Sequence, residues 1–333
     1  EYEWTGEVPF EEMPHALNPE KGFLVNCNHR IIPDDYPHYL GSCWMNGYRA
    51  QRIEDVLKSK EKISVEDFKA LQNDFMCIPG LEFVKRLKNH KSSDPEVLLA
   101  QEILDDWDGQ LLATSIGGTV FEVTRHFLMK NILEPVLGEE LTNTATGKGF
   151  HPLLYSSHEF HGYEIVYILN FLDNPDTWWI TQAGGLENVL NKSLKDAIKW
   201  LRKNLGNYVN KWHWGRIHTA TFPHAMALRK PLDKVFNCGP FPIGGDSNTP
   251  CQTAMLPDEP YDAKSWSPSH RQIIDMGDLS NSLMIHAPGQ SGILGSPHYN
   301  DFADLWIEGK YHPMLWTREE IEAEAEGKLI LKP

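Results

Sequence analysis

An α+β body is predicted, with strands towards the two ends of the chain and helices between them. Three observations predict it. Residues 1–50 hold short apolar runs broken by turns, of which GFLVNCNHR at 22–30 is the plainest. Residues 51–206 repeat apolar side chains at intervals of three and four, with capping residues where the repeats begin and end. Residues 207–333 return to short apolar runs between Gly/Pro-rich loops. Strands separated by a long helical section pair most simply if the two ends meet in one sheet system.

The elements follow in order. Tyr2–Val8 reads as a strand, and NPEKG at 18–22 is a turn leading into the run Phe23–Val25. The stretch IPDDYP at 32–37 is a loop. Ser64-Val-Glu-Asp67 is a capped helix start ahead of Phe68, Leu71 and Phe75. Asp94-Pro95 opens another helix, with Asp94 as N-cap and Pro95 at the first helical position. From Leu186 to Leu205 the positions 186, 189, 190, 194, 198, 201 and 205 are all apolar and share one helical face, and Gly206 stands where a C-cap glycine belongs. Stretches 119–134 and 159–172 read as helical. Beyond 207, NKWHWGRIH at 210–218 suits a half-exposed strand by the alternation of Trp212, Trp214 and His218. GPFPIGGDSNTP at 239–250 is a loop, and Ile273–Met276 and Leu283–Ala287 are strands joined around Asp278–Asn281. Thr317-Arg-Glu-Glu320 is a capping box that opens a last helix.

With 333 residues, 41% of them hydrophobic, the chain is long enough for one large core or two ordinary ones. Its net charge of −15 argues against nucleic acid or an anionic membrane as partner. No run of 18 apolar residues is present to span a bilayer. The opening EYEWTGEVPF reads as cut from something longer, a fragment or one chain of a processed precursor. Five scattered cysteines without a C-x-x-C pattern argue against a zinc framework or a dense disulfide scaffold. Cys238 and Cys251 flank a Gly/Pro-rich loop, and two readings stand: a disulfide in an oxidising compartment, or free buried thiols.

Several stretches invite a chemical reading. His158 and His161 in HEFH are three apart, not the four of a zinc-protease helix, and Gly162 follows at once, which favours packing or capping. APGQSGILGSPHY at 287–299 places Gly289 and Ser291 as in a nucleophile elbow, with His298 as a possible base. Ile293 stands where the last glycine belongs, and no helical pattern follows. Trp212 and Trp214 suit ring stacking on a sugar or, more simply, packing of large aromatics. Asn26 and Asn28 close the run Phe23–Val25. If that strand continues, both amides face one side. A side-chain amide is a neutral two-proton donor, which suits either a turn or an oxyanion hole.

EYEWTGEVPFEEMPHALNPEKGFLVNCNHR, with W-x-G-x-x-P-F, an N-P-x-x-G turn and a strand ending in N-x-N, resembles the central β-chain segment of the penicillin acylase family. WGRIH and GPFPIGGDSNT are similar to its connecting segment. WSPSHRQIIDMGD, MIHAPGQSG, SPHYNDFADLW and YHPMLW are similar to its tail, so the resemblance covers essentially all of residues 1–333. It implies an N-terminal-nucleophile amidohydrolase with an αββα sandwich, made as a precursor that cuts itself into two chains. In such an enzyme the β-chain begins with a serine whose hydroxyl attacks an amide carbonyl while its own α-amine, with a pKa of about 7.7–8.0, acts as base. The chain would then be the C-terminal portion of a β-chain, inactive alone, with the nucleophile and the acyl-pocket aromatics upstream. Its partners would be the α-chain and the N-terminal part of the β-chain, and its substrate a small N-acyl amide of the β-lactam or acyl-homoserine-lactone type. No cofactor is needed for the chemistry, and the location would be periplasmic or secreted.

Matched position by position, the resemblance makes Asn28 the side-chain oxyanion donor. It makes Arg49 the residue that orients Asn28 and the amine, with Arg52 as second choice. A structural Ca2+ of the family would draw a carboxylate from the segment after N-x-N, where Asp34 and Asp35 stand; the competing reading is a solvated turn. The alternative to an enzyme is an inert scaffold or interaction domain of the same fold.

Overall fold

The computed structural model describes residues 3, 6–42, 44–148, 163–255, 261–264 and 266–332. The helical middle is as the periodicity demands: α1 (Tyr48–Lys58), α2 (Val65–Gln72), α3 (Ile78–Leu87), α4 (Pro95–Asp105), α5 (Ile116–Ala145), α6 (Glu164–Asp173), α7 (Trp178–Gln182) and α8 (Leu186–Leu205). The caps are made. Ser64 Oγ accepts from the Asp67 amide while the Asp67 side chain accepts from the Ser64 amide, and Asp94 accepts from the Glu96 amide. Gly206 ends α8 with φ 90°. The helical stretch 119–134 lies within α5. Of the stretch 159–172, residues 159–162 fall outside the described residues, as do His158 and His161.

α5 runs through the centre of the core, packed against α4, α6, α7 and α8. Its Phe121 stacks on Trp107, ring centres 5.3 Å apart, and tilts against Phe83. The apolar face of α8 (Val189, Leu190, Leu194, Ile198, Leu201) is buried against this cluster. Each such side chain contributes about 1.5–3 kcal/mol on removal from water.

The strands depart from expectation. Among the described residues of 1–50 there is only a 3₁₀ turn at Phe10–Glu12, one isolated parallel bridge between His29 and Met45, and the start of α1. The run Phe23–Val25 carries no strand assignment and no ladder partner, and an apolar pattern cannot supply one. The described strands all come from the last third of the chain. β1 (Thr219–Phe222) and β2 (Cys238–Pro242) form one antiparallel pair; β3 (His270–Ile273), β4 (Leu283–His286) and β5 (His312–Pro313) form a second antiparallel sheet. The expected union of both chain ends in one sheet system is not present among the described residues. The remaining helices are α9 (Asp233–Phe236), α10 (Ala303–Ile307) and α11 (Arg318–Glu324), the last opened by the Thr317–Glu320 capping box.

Two further strand expectations are corrected. β3 ends at Ile273, where the expected strand began, because Asp275 accepts from the amides of Gly277 and Asp278 and so starts the turn. Trp212 directly follows one 3₁₀ turn (Val209–Lys211) and Trp214 opens the next (Trp214–Arg216), and both are fully buried together with His218. Trp214 stacks on the His218 ring at 4.6 Å and donates through Nε1 to the Gly245 carbonyl, so the aromatics pack the core. Cys238 and Cys251 are both free, buried thiols; the Arg271 guanidinium lies 3.6 Å from the Cys251 sulfur.

Candidate active site

The site is built from the end of the run Phe23–Val25 and the start of α1. After Asn26 the chain turns. Asn26 Oδ1 accepts from the Asn28 amide at 3.0 Å, a local turn of the kind asparagine favours. Asn28 itself takes φ 60°, a left-handed conformation that asparagine tolerates better than most residues. That turn breaks the alternation, so the expectation that both amides share one strand face does not hold. The Asn28 carbonyl accepts from the Met45 amide at 2.8 Å, which ties the turn to the loop entering α1.

Arg49 sits in the first turn of α1 and is buried. Its Nη2 donates to the Cys27 carbonyl at 2.6 Å and to Asn28 Oδ1 at 2.9 Å. A guanidinium can only donate, so it selects the oxygen of the Asn28 amide and leaves the NH2 group facing elsewhere. Asn28 is exposed, and no described residue accepts from that NH2. Burial works against the Arg49 charge, and the Cys27 and Asp246 side chains oppose that effect. Burial raises the pKa of the adjacent Cys27 thiol, against the pull of Arg49. Arg52, the second choice, is committed to Asp74 at 2.7 Å and anchors α1 to the chain between α2 and α3. The structure therefore brings Asn28 and Arg49 together and sets Arg52 apart.

The family model described as penicillin amidase matches residues 1–323. The chain belongs to the penicillin amidase family. Relatives include a penicillin acylase 2 proenzyme from Pseudomonas sp. (strain SE83), 28% identical over the whole of this chain and 41% of its own length. The acyl-homoserine lactone acylase QuiP of Pseudomonas aeruginosa is 24% identical, over 93% of this chain and 39% of its own length. The chain thus spans about two fifths of the curated relatives it matches. A solved thermostable penicillin G acylase from Alcaligenes faecalis superposes with a TM-score of 0.57 at 18% identity, over 99% of this chain and 61% of that one, and shares its fold.

Asp34 and Asp35 are the two residues named above for a structural Ca2+. Both are exposed, and the Arg30 guanidinium is hydrogen-bonded to Asp34 Oδ1, a cation where a second cation would bind. Among the described residues no group of three His, Cys, Asp or Glu side chains could hold a metal ion. The solvated-turn reading fits these two residues. The serine-hydrolase reading also fails. His298 turns its two ring nitrogens to Asp301 and Glu326, and Ser291 Oγ accepts from the Ile293 amide. Gly289 is a glycine because a Cβ there would lie 2.4 Å from the His298 carbonyl oxygen, a close backbone approach. Among the described residues no helix is long and apolar enough to cross a membrane.

Sequence reasoning missed a buried polar loop behind α1. Residues 243–249 are all buried, although six of the seven, all but Ile243, are Gly, Asp, Ser, Asn or Thr. Asp246, fully buried, organises it: Oδ1 accepts from the Asn248 and Thr249 amides and Oδ2 accepts from Asn248 Nδ2 at 2.7 Å. Gly245 adopts φ 89°, and a Cβ there would lie 2.6 Å from Thr253 Oγ1. Nearby, Glu122 and Arg125 of α5 are buried with Arg125 Nη2 2.9 Å from Glu122 Oε2. Burial drives the Glu122 carboxyl well above the usual range; Arg125 opposes this and Asp246 reinforces it. The signal available in the sequence was the spacing D-x-N-T after two glycines, a loop that carries its own hydrogen-bond partners.

Proposed function

We propose that this chain is part of an amidohydrolase that cleaves the linear amide of N-acylated compounds through an acyl-enzyme, with Asn28 as side-chain oxyanion donor and Arg49 as the group that holds it. The observation that carries this is the 2.9 Å contact from Arg49 Nη2 to Asn28 Oδ1, which fixes the amide with its NH2 group outward. A neutral donor held in advance stabilises negative charge as it develops on a carbonyl oxygen, and needs no reorganisation at that moment. The nucleophile, a serine with its own α-amine as base, is contributed by polypeptide outside this chain. The relatives' names support both points: one is a proenzyme of a penicillin acylase, another an acyl-homoserine lactone acylase, and each is more than twice as long as the region matched. β-Lactam-type and acyl-homoserine-lactone-type amides are the two substrate classes those names favour, and a location outside the cytoplasm accords with them.

The test is an assay of phenylacetyl and aliphatic N-acyl amides with the full-length protein and with residues 1–333 alone. Hydrolysis with a burst of released amine is expected from the full-length protein, and none from the shorter chain. Saturable turnover by residues 1–333 alone would show that the nucleophile lies within them.

A further inference from the structure

We propose that Asp246 is a positioning residue for this reaction: its carboxylate sets the direction of a hydrogen-bond chain that runs through Asn248 and Asn46 to the first turn of α1, and so fixes Arg49 against Asn28. The inference rests on the oxyanion reading of Asn28 and deepens it.

The chain can be followed atom by atom. Asp246 Oδ2 takes a hydrogen bond from Asn248 Nδ2 at 2.7 Å. Carboxylate oxygens are acceptors, so Asn248 must present its NH2 group to Asp246 and its carbonyl oxygen away from it. That oxygen accepts from Asn46 Nδ2 at 2.7 Å, a contact between residues 202 apart in sequence. Asn46 is thereby oriented in turn, with Oδ1 towards the backbone amide of Tyr48, 3.3 Å away. Tyr48 is the first residue of α1, a helix whose N-cap is Gly47 and which therefore has no side chain at the capping position itself. An unpaired first-turn amide is the group a capping oxygen satisfies. Reversing either amide in the chain would set oxygen against oxygen or NH2 against NH2, so the polarity is propagated from Asp246 without a break.

Arg49 follows Tyr48 directly. Among the described residues no carboxylate lies within ion-pair distance of it, and its guanidinium is committed to the Cys27 carbonyl and Asn28 Oδ1. Its position therefore depends on how firmly the first turn of α1 is held. Asp246 also lies close enough to favour the Arg49 cation against burial, after the larger effect of Cys27. The carboxylate thus acts on Asn28 twice: through the hydrogen-bond chain to α1, and through the charge of the residue that grips the amide.

The experiment uses the full-length protein with a phenylacetyl amide as substrate. The variants are Asp246→Asn and Asn46→Ala, each alone and combined with Asn28→Ala. Asp246→Asn keeps the shape but lets the amides reverse. Asn46→Ala cuts the chain at its half-buried end, away from the Asp246 loop, and keeps the test open if Asp246→Asn fails to fold. Each single variant is expected to lower kcat by about tenfold to 10²-fold with little change in KM, the scale on which a displaced catalytic group costs rate. Combined with Asn28→Ala, neither should lower kcat further, because the chain acts through that amide. A merely structural role would multiply the two losses. Unchanged kcat in Asn46→Ala, or multiplied losses in the double variants, overturns the proposal while the oxyanion reading stands. Full activity in Asn28→Ala alone overturns both, and is seen in that single variant.

Discussion

Asn28→Ala in the full-length protein is expected to lower kcat for amide hydrolysis by about 10²–10³, equivalent to about 2.7–4 kcal/mol of transition-state stabilisation, with KM little affected. The reason is that the Asn28 NH2 group is aimed before substrate arrives: Arg49 holds the amide oxygen at 2.9 Å, so the rotation that an unrestrained asparagine would undergo is already settled. A substrate carbonyl in its ground state gains little from such a donor; the oxyanion of the tetrahedral intermediate gains most. The left-handed φ of 60° at position 28 means that alanine also adds backbone strain, of about 1–2 kcal/mol. Asn28→Gly separates the two effects, since glycine accepts that conformation. It should show the same loss of kcat without the loss of stability. Steady-state kinetics and urea unfolding on the two variants make the check, and an Asn28→Gly enzyme with undiminished kcat would contradict it.

Trp214→Ala is expected to destabilise the fold by about 3–5 kcal/mol, the range for deleting a large buried aromatic. The indole is completely buried, donates through Nε1 to the Gly245 carbonyl at 3.0 Å, and lies face to face with His218 at 4.6 Å. Its loss leaves a cavity and an unpaired carbonyl beneath the same loop that carries Asp246. It also changes the pH dependence. Burial lowers the His218 pKa to about 4 in the folded state, below its unfolded value of about 6.5. The folded chain therefore binds fewer protons than the unfolded chain between those values. Stability from the neutral imidazole is complete above about pH 6.5 and is lost as pH falls towards 4, with about 3 kcal/mol at stake. Opening the Trp214 cavity to water should bring His218 back towards its ordinary value and flatten that part of the curve. Urea unfolding of wild type and variant between pH 7 and pH 4 reads both effects. A variant of wild-type stability would mean that the indole is not part of the core.

What could be read from the chain, and what could not, divides along physical lines. The helices were legible because each is decided locally: α8 by its apolar stripe and Gly206, α2 by Ser64 and Asp67, α4 by Asp94 and Pro95. The strands were not, because a strand is completed by a partner distant in sequence. Phe23–Val25 has the composition of a strand and no ladder, and β3 was displaced by an Asx turn at Asp275 that its apolar residues do not announce. β3 also points Arg271 inward beside Ile273, where the guanidinium lies over the Trp306 ring and donates to its carbonyl, against the usual alternation of apolar in and charged out. Position 212–218 misled for the same reason. Alternating Trp and His suggests a strand with one wet face, yet the segment runs through 3₁₀ turns at Val209–Lys211 and Trp214–Arg216 and both indoles are buried.

Within the site, Asn28 and Arg49 were found through a resemblance and are seen in contact, whereas the residues alone left Asn28 open between a turn and an oxyanion donor. The link from Asn248 to Asn46 was missed because it joins residues 202 apart in sequence. The buried pair Glu122 and Arg125, three apart in α5, was a second unread signal that lay in the local sequence, beside the D-x-N-T spacing. Asp34 and Asp35 were named for a metal through the same resemblance, and the structure pairs Asp34 with Arg30, four residues before it.

Crystallography of the full-length protein trapped with a boronic-acid analogue of the acyl group tests the oxyanion assignment most directly. The account predicts Asn28 Nδ2 at about 2.7–3.1 Å from the boronate oxygen that stands in for the oxyanion, with Arg49 still bonded to Asn28 Oδ1. A boronate oxygen held by other donors, with the Asn28 amide turned away to solvent, would contradict it.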